Sequence, residues 1–135
     1  MRSGITLSKP RVLLVDDNQA ILDCLVKMLG RDYTIIGAIR DAPRMLDAVA
    51  ILKPDVVVMD ISMPEMSGLE LARLLQENPP APPVVFVTVH EDPEFREAAR
   101  DVGAAGYVVK STMETELKPA LELALKGQRF VVPAS

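Results

Sequence analysis

Val56-Val57-Val58-Met59-Asp60, followed by Ile61-Ser62-Met63-Pro64-Glu65-Met66-Ser67-Gly68, is the stretch on which the fold turns. A short apolar run rich in valine suits a strand covered on both faces, as in a parallel sheet. An aspartate closing such a run stands at the carboxyl edge of the sheet, where open α/β folds place their ligands. Pro64 then forces the chain into a loop. Asp60 is therefore the candidate working residue, provided the other strands bring complementary groups to the same edge.

From Arg11 onward, short apolar runs alternate with longer segments of helical spacing, the pattern of repeated βα units around a parallel sheet. The first unit is Val12-Leu13-Leu14-Val15, then Asp16-Asp17, then Asn18 at a helix N-cap position, with Ile21, Leu22, Leu25, Val26 and Leu29 along one helical face up to Gly30. A second strand is expected over Tyr33 to Ala38, with Asp41 capping a helix whose apolar row is Met45, Leu46, Val49 and Leu52. Asp55 to Asp60 makes the third strand, and Gly68 serves a tight turn or close helix packing before Leu69, Ala72 and Leu75. Asn78-Pro79-Pro80-Ala81-Pro82-Pro83 reads as a rigid connector. Val84 to Val87 forms the fourth strand, ending at Thr88-Val89-His90, and a helix carrying Phe95, Ala98, Ala99 and Val102 closes at Gly103. The fifth strand, Gly106 to Val109, ends at Lys110. Ser111 or Thr112 is expected to cap a last helix, in which Pro119 either lies in the first turn or makes a kink.

The chain has 135 residues, enough for one domain, and 49% of them are apolar, so a soluble globular class is expected. A net charge of −4 with no basic stripe argues against direct nucleic-acid contact by this segment. Residues 1–10 read as a loose tail with neither a signal peptide nor a membrane span. The lone Cys24 cannot make an internal disulfide and reads as a small buried side chain, which fits a cytoplasmic protein.

Four of the five strand ends carry polar groups: Asp16-Asp17, Asp60, Thr88 and Lys110. In a parallel sheet these ends share one side. Each has an ordinary reading alone, since Asp caps helices, Lys at a strand end is commonly solvated and Thr is a β-former. Together they suggest chemistry. Carboxylates gathered there repel one another unless a cation joins them, and Mg²⁺ suits an all-oxygen site. A lysine and a hydroxyl beside it could hold a phosphoryl group, with Asp60 as the nucleophile that forms an aspartyl phosphate.

These residues resemble the receiver domain of two-component response regulators. The features that carry the resemblance are Val15-Asp16-Asp17, Met59-Asp60 with Met63-Pro64 and Gly68, Thr88, and Gly103-Ala104 with Gly106-Tyr107 and Lys110. The resemblance covers residues 11–127 and implies a flavodoxin-like (βα)5 three-layer fold of strand order 2-1-3-4-5. It implies that Asp60 takes a phosphoryl group from a phosphohistidine on a sensor histidine kinase. Asp17, Asp60 and the carbonyl of Ser62 would bind Mg²⁺, Asp16 would act through a water, and Thr88 and Lys110 would contact the phosphoryl oxygens. Thr88 and Tyr107 would form the conformational switch.

The segment from Leu121 to Val132 resembles receivers of the NarL/FixJ group, in which a linker leads to a LuxR-type DNA-binding domain. Residues 128–135 are then the start of that linker. The expectation is a chain cut before its output domain, with a stand-alone receiver as second reading, and a possible homodimer. Val89 replaces the small residue common after the switch threonine, and His90 is also less common at its position, so both could modulate access to Asp60 or the phosphate lifetime. An atypical receiver that works without phosphorylation is the alternative. An aspartyl phosphatase is disfavoured because Ser62 stands where a second aspartate is common, and no Gly-rich turn supports nucleotide binding.

Overall fold

Side chains alternate across each strand, so every strand of a sheet covered by helices must be apolar on both faces. The computed structural model, which describes residues 8–128, is built this way. Its elements are β1 (Arg11–Val15), α1 (Gln19–Leu29), β2 (Thr34–Ile39), α2 (Ala42–Leu52), β3 (Val56–Met59), α3 (Gly68–Gln76), β4 (Val84–Thr88), α4 (Pro93–Asp101), β5 (Gly106–Val109) and α5 (Met113–Leu125). All strand pairs are parallel in the order β2-β1-β3-β4-β5. This is the expected flavodoxin-like architecture.

Within β3, Val56 and Val58 face α1 and α5, joining Leu22, Leu25, Leu117 and Leu121 in one core. Val57 and Met59 face the other way, into a core with Met45, Leu71, Phe86 and Ala99 from α2, α3, β4 and α4. The sheet is thus sealed on both sides, and its reactive groups must emerge at the strand ends. Cys24 is half-buried and packs against the first of these cores.

Helix starts follow the expected caps at two places. Asn18 Oδ1 accepts from the N–H groups of Ala20 and Ile21, and Asp41 Oδ1 accepts from that of Arg44 at 3.1 Å. Gly103 has φ +84°, the left-handed conformation expected after a helix. β2 is shifted one residue toward the C-terminus of the expected span, and β3 leaves Asp55 and Asp60 as its flanks. Asp55 instead accepts from the N–H of Arg11 at 2.8 Å.

Two open points are resolved at the last helix. Thr112 stands at the N-cap position of α5 but makes no side-chain capping bond: Lys110–Thr112 forms a 3-10 turn, and the Thr112 hydroxyl donates back to the Val109 carbonyl at 3.3 Å. Pro119 lies inside α5 rather than in its first turn. Pro119 and Thr115 are both exposed, so the carbonyl that loses its helical donor faces water. Residues 1–7 of the expected tail and 129–135 of the expected linker lie outside the described residues.

Gly68 opens α3 with its N–H donating to the Ile61 carbonyl at 2.7 Å. A Cβ there would stand 2.1 Å from the carbonyl oxygen of Asp60. Gly68→Ala must therefore displace the backbone of Asp60 itself. It is expected to cost about 3 kcal/mol in a urea unfolding series, at the upper end of ordinary overpacking.

Candidate functional site

β1 and β3 are neighbours in register, with Val15 opposite Met59, so the residues that follow them meet. The N–H of Asp60 donates to the Val15 carbonyl at 3.0 Å, extending the ladder one step beyond the strands. This brings Asp16, Asp17 and Asp60 together, with one carboxylate oxygen of each within 4.8 Å of the others. Asp16 is 2% exposed and Asp60 6%, while Asp17 is half-buried.

Lys110 enters from the end of β5. Its Nζ lies 3.0 Å from Asp16 Oδ2 and 3.3 Å from Asp60 Oδ2. The remaining oxygen of Asp16, Oδ1, accepts from the N–H of Asn18 at 2.9 Å, and Asp60 Oδ1 faces the N–H of Ser62 at 3.4 Å. Burial raises the pKa of Asp16, reinforced by the nearby Asp60 charge and opposed by its bonds from Asn18 and Lys110. Burial works against the Lys110 charge as well, but the two carboxylates more than offset it and its pKa rises. Three carboxylates against one ammonium leave an all-oxygen pocket with negative charge to spare, a donor set that fits a hard divalent cation such as Mg²⁺.

Thr88 closes β4 and is fully buried. Its Oγ1 accepts from the N–H of His90 at 3.3 Å, and the Tyr107 hydroxyl donates to the His90 carbonyl at 2.8 Å. Tyr107 is 7% exposed, with the Arg96 guanidinium 4.9 Å from its ring centroid. The imidazole of His90 stacks on Phe95 with ring centroids 4.0 Å apart, and its Nε2 lies 2.6 Å from Ser62 Oγ. His90 thus joins the loops after β3 and β4. Val89 is 62% exposed, so the contact that links these loops is made by His90 instead.

Two contacts escaped sequence reasoning. The Ser62–His90 bond joins residues 28 apart and has no signature in spacing. Arg40, just beyond β2, donates from Nε and Nη2 to the Asp17 carbonyl at 3.3 and 3.2 Å. The adjacency of β2 and β1 is the signal that could have found it: whatever follows β2 stands beside Asp16 and Asp17.

Comparison with known proteins defines the class. The response regulator receiver domain family matches residues 12–122, and the chain belongs to that family. Among individual relatives, it is 37% identical over 125 residues to the response regulator GacA of Pseudomonas viridiflava, covering 91% of this chain and 58% of that protein. It is 35% identical over 122 residues to the transcriptional regulatory protein PdtaR of Mycobacterium tuberculosis, covering 90% of this chain and 59% of that one. The chain therefore spans a little over half the length of these relatives. Among solved structures, a LuxR-family response regulator from Aurantimonas sp. SI85-9A1 superposes with a TM-score of 0.87 at 31% identity, over 93% of this chain and 91% of the other. The receiver domain of the NarL response regulator from Mycobacterium tuberculosis gives 0.85 at 27% identity, over 90% and 100%. Among the described residues, no helix is long and apolar enough to cross a membrane.

Because the folded-state pKa of Asp16 is raised, its contribution to stability is complete below the ordinary carboxylate range and is lost as pH rises through the raised value. In buffer free of divalent ions, the stability of the native sequence relative to Asp16→Asn should fall as pH rises above the ordinary carboxylate range. Urea unfolding of both proteins across that rise measures it, and a pH-independent difference would count against the buried, charged Asp16.

Proposed function

We propose that this domain is a phosphorylation-controlled switch in which Asp60 accepts a phosphoryl group from a phosphohistidine of a sensor kinase. The observation that carries the reading is the meeting of Asp16, Asp17 and Asp60 around the Lys110 ammonium at one sheet edge. An oxygen of Asp60 attacks phosphorus, the bond from phosphorus to the imidazole nitrogen breaks, and its electron pair leaves with the imidazole. Mg²⁺, held by Asp17, Asp60 and the Ser62 carbonyl with Asp16 acting through water, would offset charge on the phosphoryl oxygens.

Conversion of Asp60 to an acyl phosphate removes the carboxylate charge that Lys110 faces and presents phosphoryl oxygens in its place. Thr88 accepts a bond from the His90 N–H and keeps its own proton to donate. Turning that hydroxyl toward a phosphoryl oxygen loosens its hold on His90, whose carbonyl binds Tyr107. The phosphoryl group is thereby coupled to the loop before α4 and to the face of β5. Attack of water on phosphorus returns the phosphate and resets Asp60.

By likeness to the transcriptional regulatory protein PdtaR, the domain controls transcription in the cytoplasm; the NarL/FixJ resemblance of its last helix makes a separate DNA-binding domain the output and a homodimer a natural consequence of a changed surface. A second reading, a receiver that binds its partner without phosphorylation, is favoured by Tyr107, which is already buried and bonded to His90. Partner binding that Asp60→Asn leaves unaltered would select this second reading.

Incubation with a small phosphodonor and Mg²⁺ is expected to add one phosphoryl group, seen by intact mass, and Asp60→Asn to abolish it. An unchanged mass for the native sequence would end the phosphoacceptor reading. Ser62→Ala and His90→Ala each remove the side-chain bond between the two loops. Both should speed phosphoryl gain and shorten its lifetime by opening the site to donor and water, which radiolabel chase would record.

A further inference from the structure

The peptide that joins Asp17 to Asn18 is held at both ends. Its N–H donates to Asp16 Oδ1 at 2.9 Å, and its carbonyl oxygen receives two bonds from Arg40, Nε at 3.3 Å and Nη2 at 3.2 Å. One step earlier, the N–H of Asp16 donates to the Ile39 carbonyl at 3.0 Å. The end of β2 thus grips both aspartates of the pair, once through backbone and once through a side chain that reaches across 23 residues.

A planar guanidinium delivering two donors to one oxygen fixes the orientation of that peptide plane far better than a single flexible donor does. The plane sets the last backbone torsion of Asp17 and the first of Asn18. Asp17 is only half-buried, and among the described residues its carboxylate has no side-chain hydrogen bond or ion pair of its own. Its direction therefore depends on the backbone beneath it. Asn18 in turn is the N-cap of α1, so the same plane aligns the start of that helix.

We propose that Arg40 is a positioning residue for the divalent-cation site: its fork on the Asp17 carbonyl aims the Asp17 carboxylate at the oxygens of Asp16 and Asp60. This inference rests on the reading of the three aspartates as a magnesium site. It makes a prediction whose sign opposes simple electrostatics. A positive side chain beside a cation site repels the cation, so deleting it should tighten binding if charge alone mattered. If aim matters more, deleting it weakens binding.

Arg44 supplies the control. It lines, together with Arg40 and Asp17, an open cavity of about 560 Å³, is exposed, and pairs with Asp41 at 3.7 Å rather than with the Asp17 carbonyl.

Titration calorimetry with MgCl2 on the native chain, Arg40→Ala, Arg40→Lys and Arg44→Ala separates the possibilities. The expected result is Mg²⁺ affinity about tenfold weaker for Arg40→Ala, the lower end of losses seen when groups that orient metal ligands are removed. Arg40→Lys, which retains a donor and the charge, should recover part of it, and Arg44→Ala should bind as the native chain does or more tightly. Thermal melting without Mg²⁺ checks that each variant folds. Arg40→Ala affinity equal to or tighter than native, or weakened equally in Arg44→Ala, would overturn the proposal while leaving the metal site standing. A native chain that binds no Mg²⁺ would remove the site itself.

Discussion

The Lys110 ammonium between Asp16 and Asp60 is the interaction on which the rest of the site depends. A parallel sheet sealed on both faces has nowhere to put polar groups except its ends, and the order β2-β1-β3 places two acidic ends side by side. Nearly buried carboxylates at that spacing cannot stay charged together without a cation among them. The lysine supplies one charge, enough to hold the edge together and too little to neutralise it. That residual negative charge fits the edge to a divalent ion, and burial, with a smaller contribution from the Asp60 charge, raises the pKa of Asp16 even with Lys110 in contact.

The fold was legible because its determinants are local. Val56 to Met59 reads as a doubly buried strand from composition alone, and Asn18 and Asp41 announce their helices by side-chain chemistry that acts within three residues. The acid cluster was legible for a topological reason: parallel strands place all carboxyl ends on one side, so polar residues at strand ends must share an edge. The sequence was least decisive where a local rule had a competitor. Thr112 has the hydroxyl of a cap, but the preceding 3-10 turn places the Val109 carbonyl within its reach, and it donates there. Pro119 fits a helix interior because its side of α5 is wet, which single-residue propensity does not encode.

Contacts between loops were the illegible part. Arg40 reaches Asp17 and His90 reaches Ser62 across loops whose relative position exists only once the sheet has formed. No periodicity marks them. The sequence marks both Val89 and His90 beside Asp60; in the structure the side chain of Val89 is 62% exposed while the imidazole of His90 lies between Phe95 and Ser62. Composition marks the two positions alike, and which side chain touches the neighbouring loop is decided only by the direction each takes once that loop has folded.

His90 serves two purposes through different atoms. Its backbone N–H and carbonyl connect the Thr88 hydroxyl to the Tyr107 phenol, and its ring connects the two loops beside Asp60. Every residue other than proline offers the same backbone donor and acceptor, so the path from Thr88 to Tyr107 is independent of the side chain at this position. The ring is not. In the proposed switch, the identity of residue 90 therefore sets how long the signal lasts, while the capacity to transmit it is built into the backbone, and the two properties can change separately.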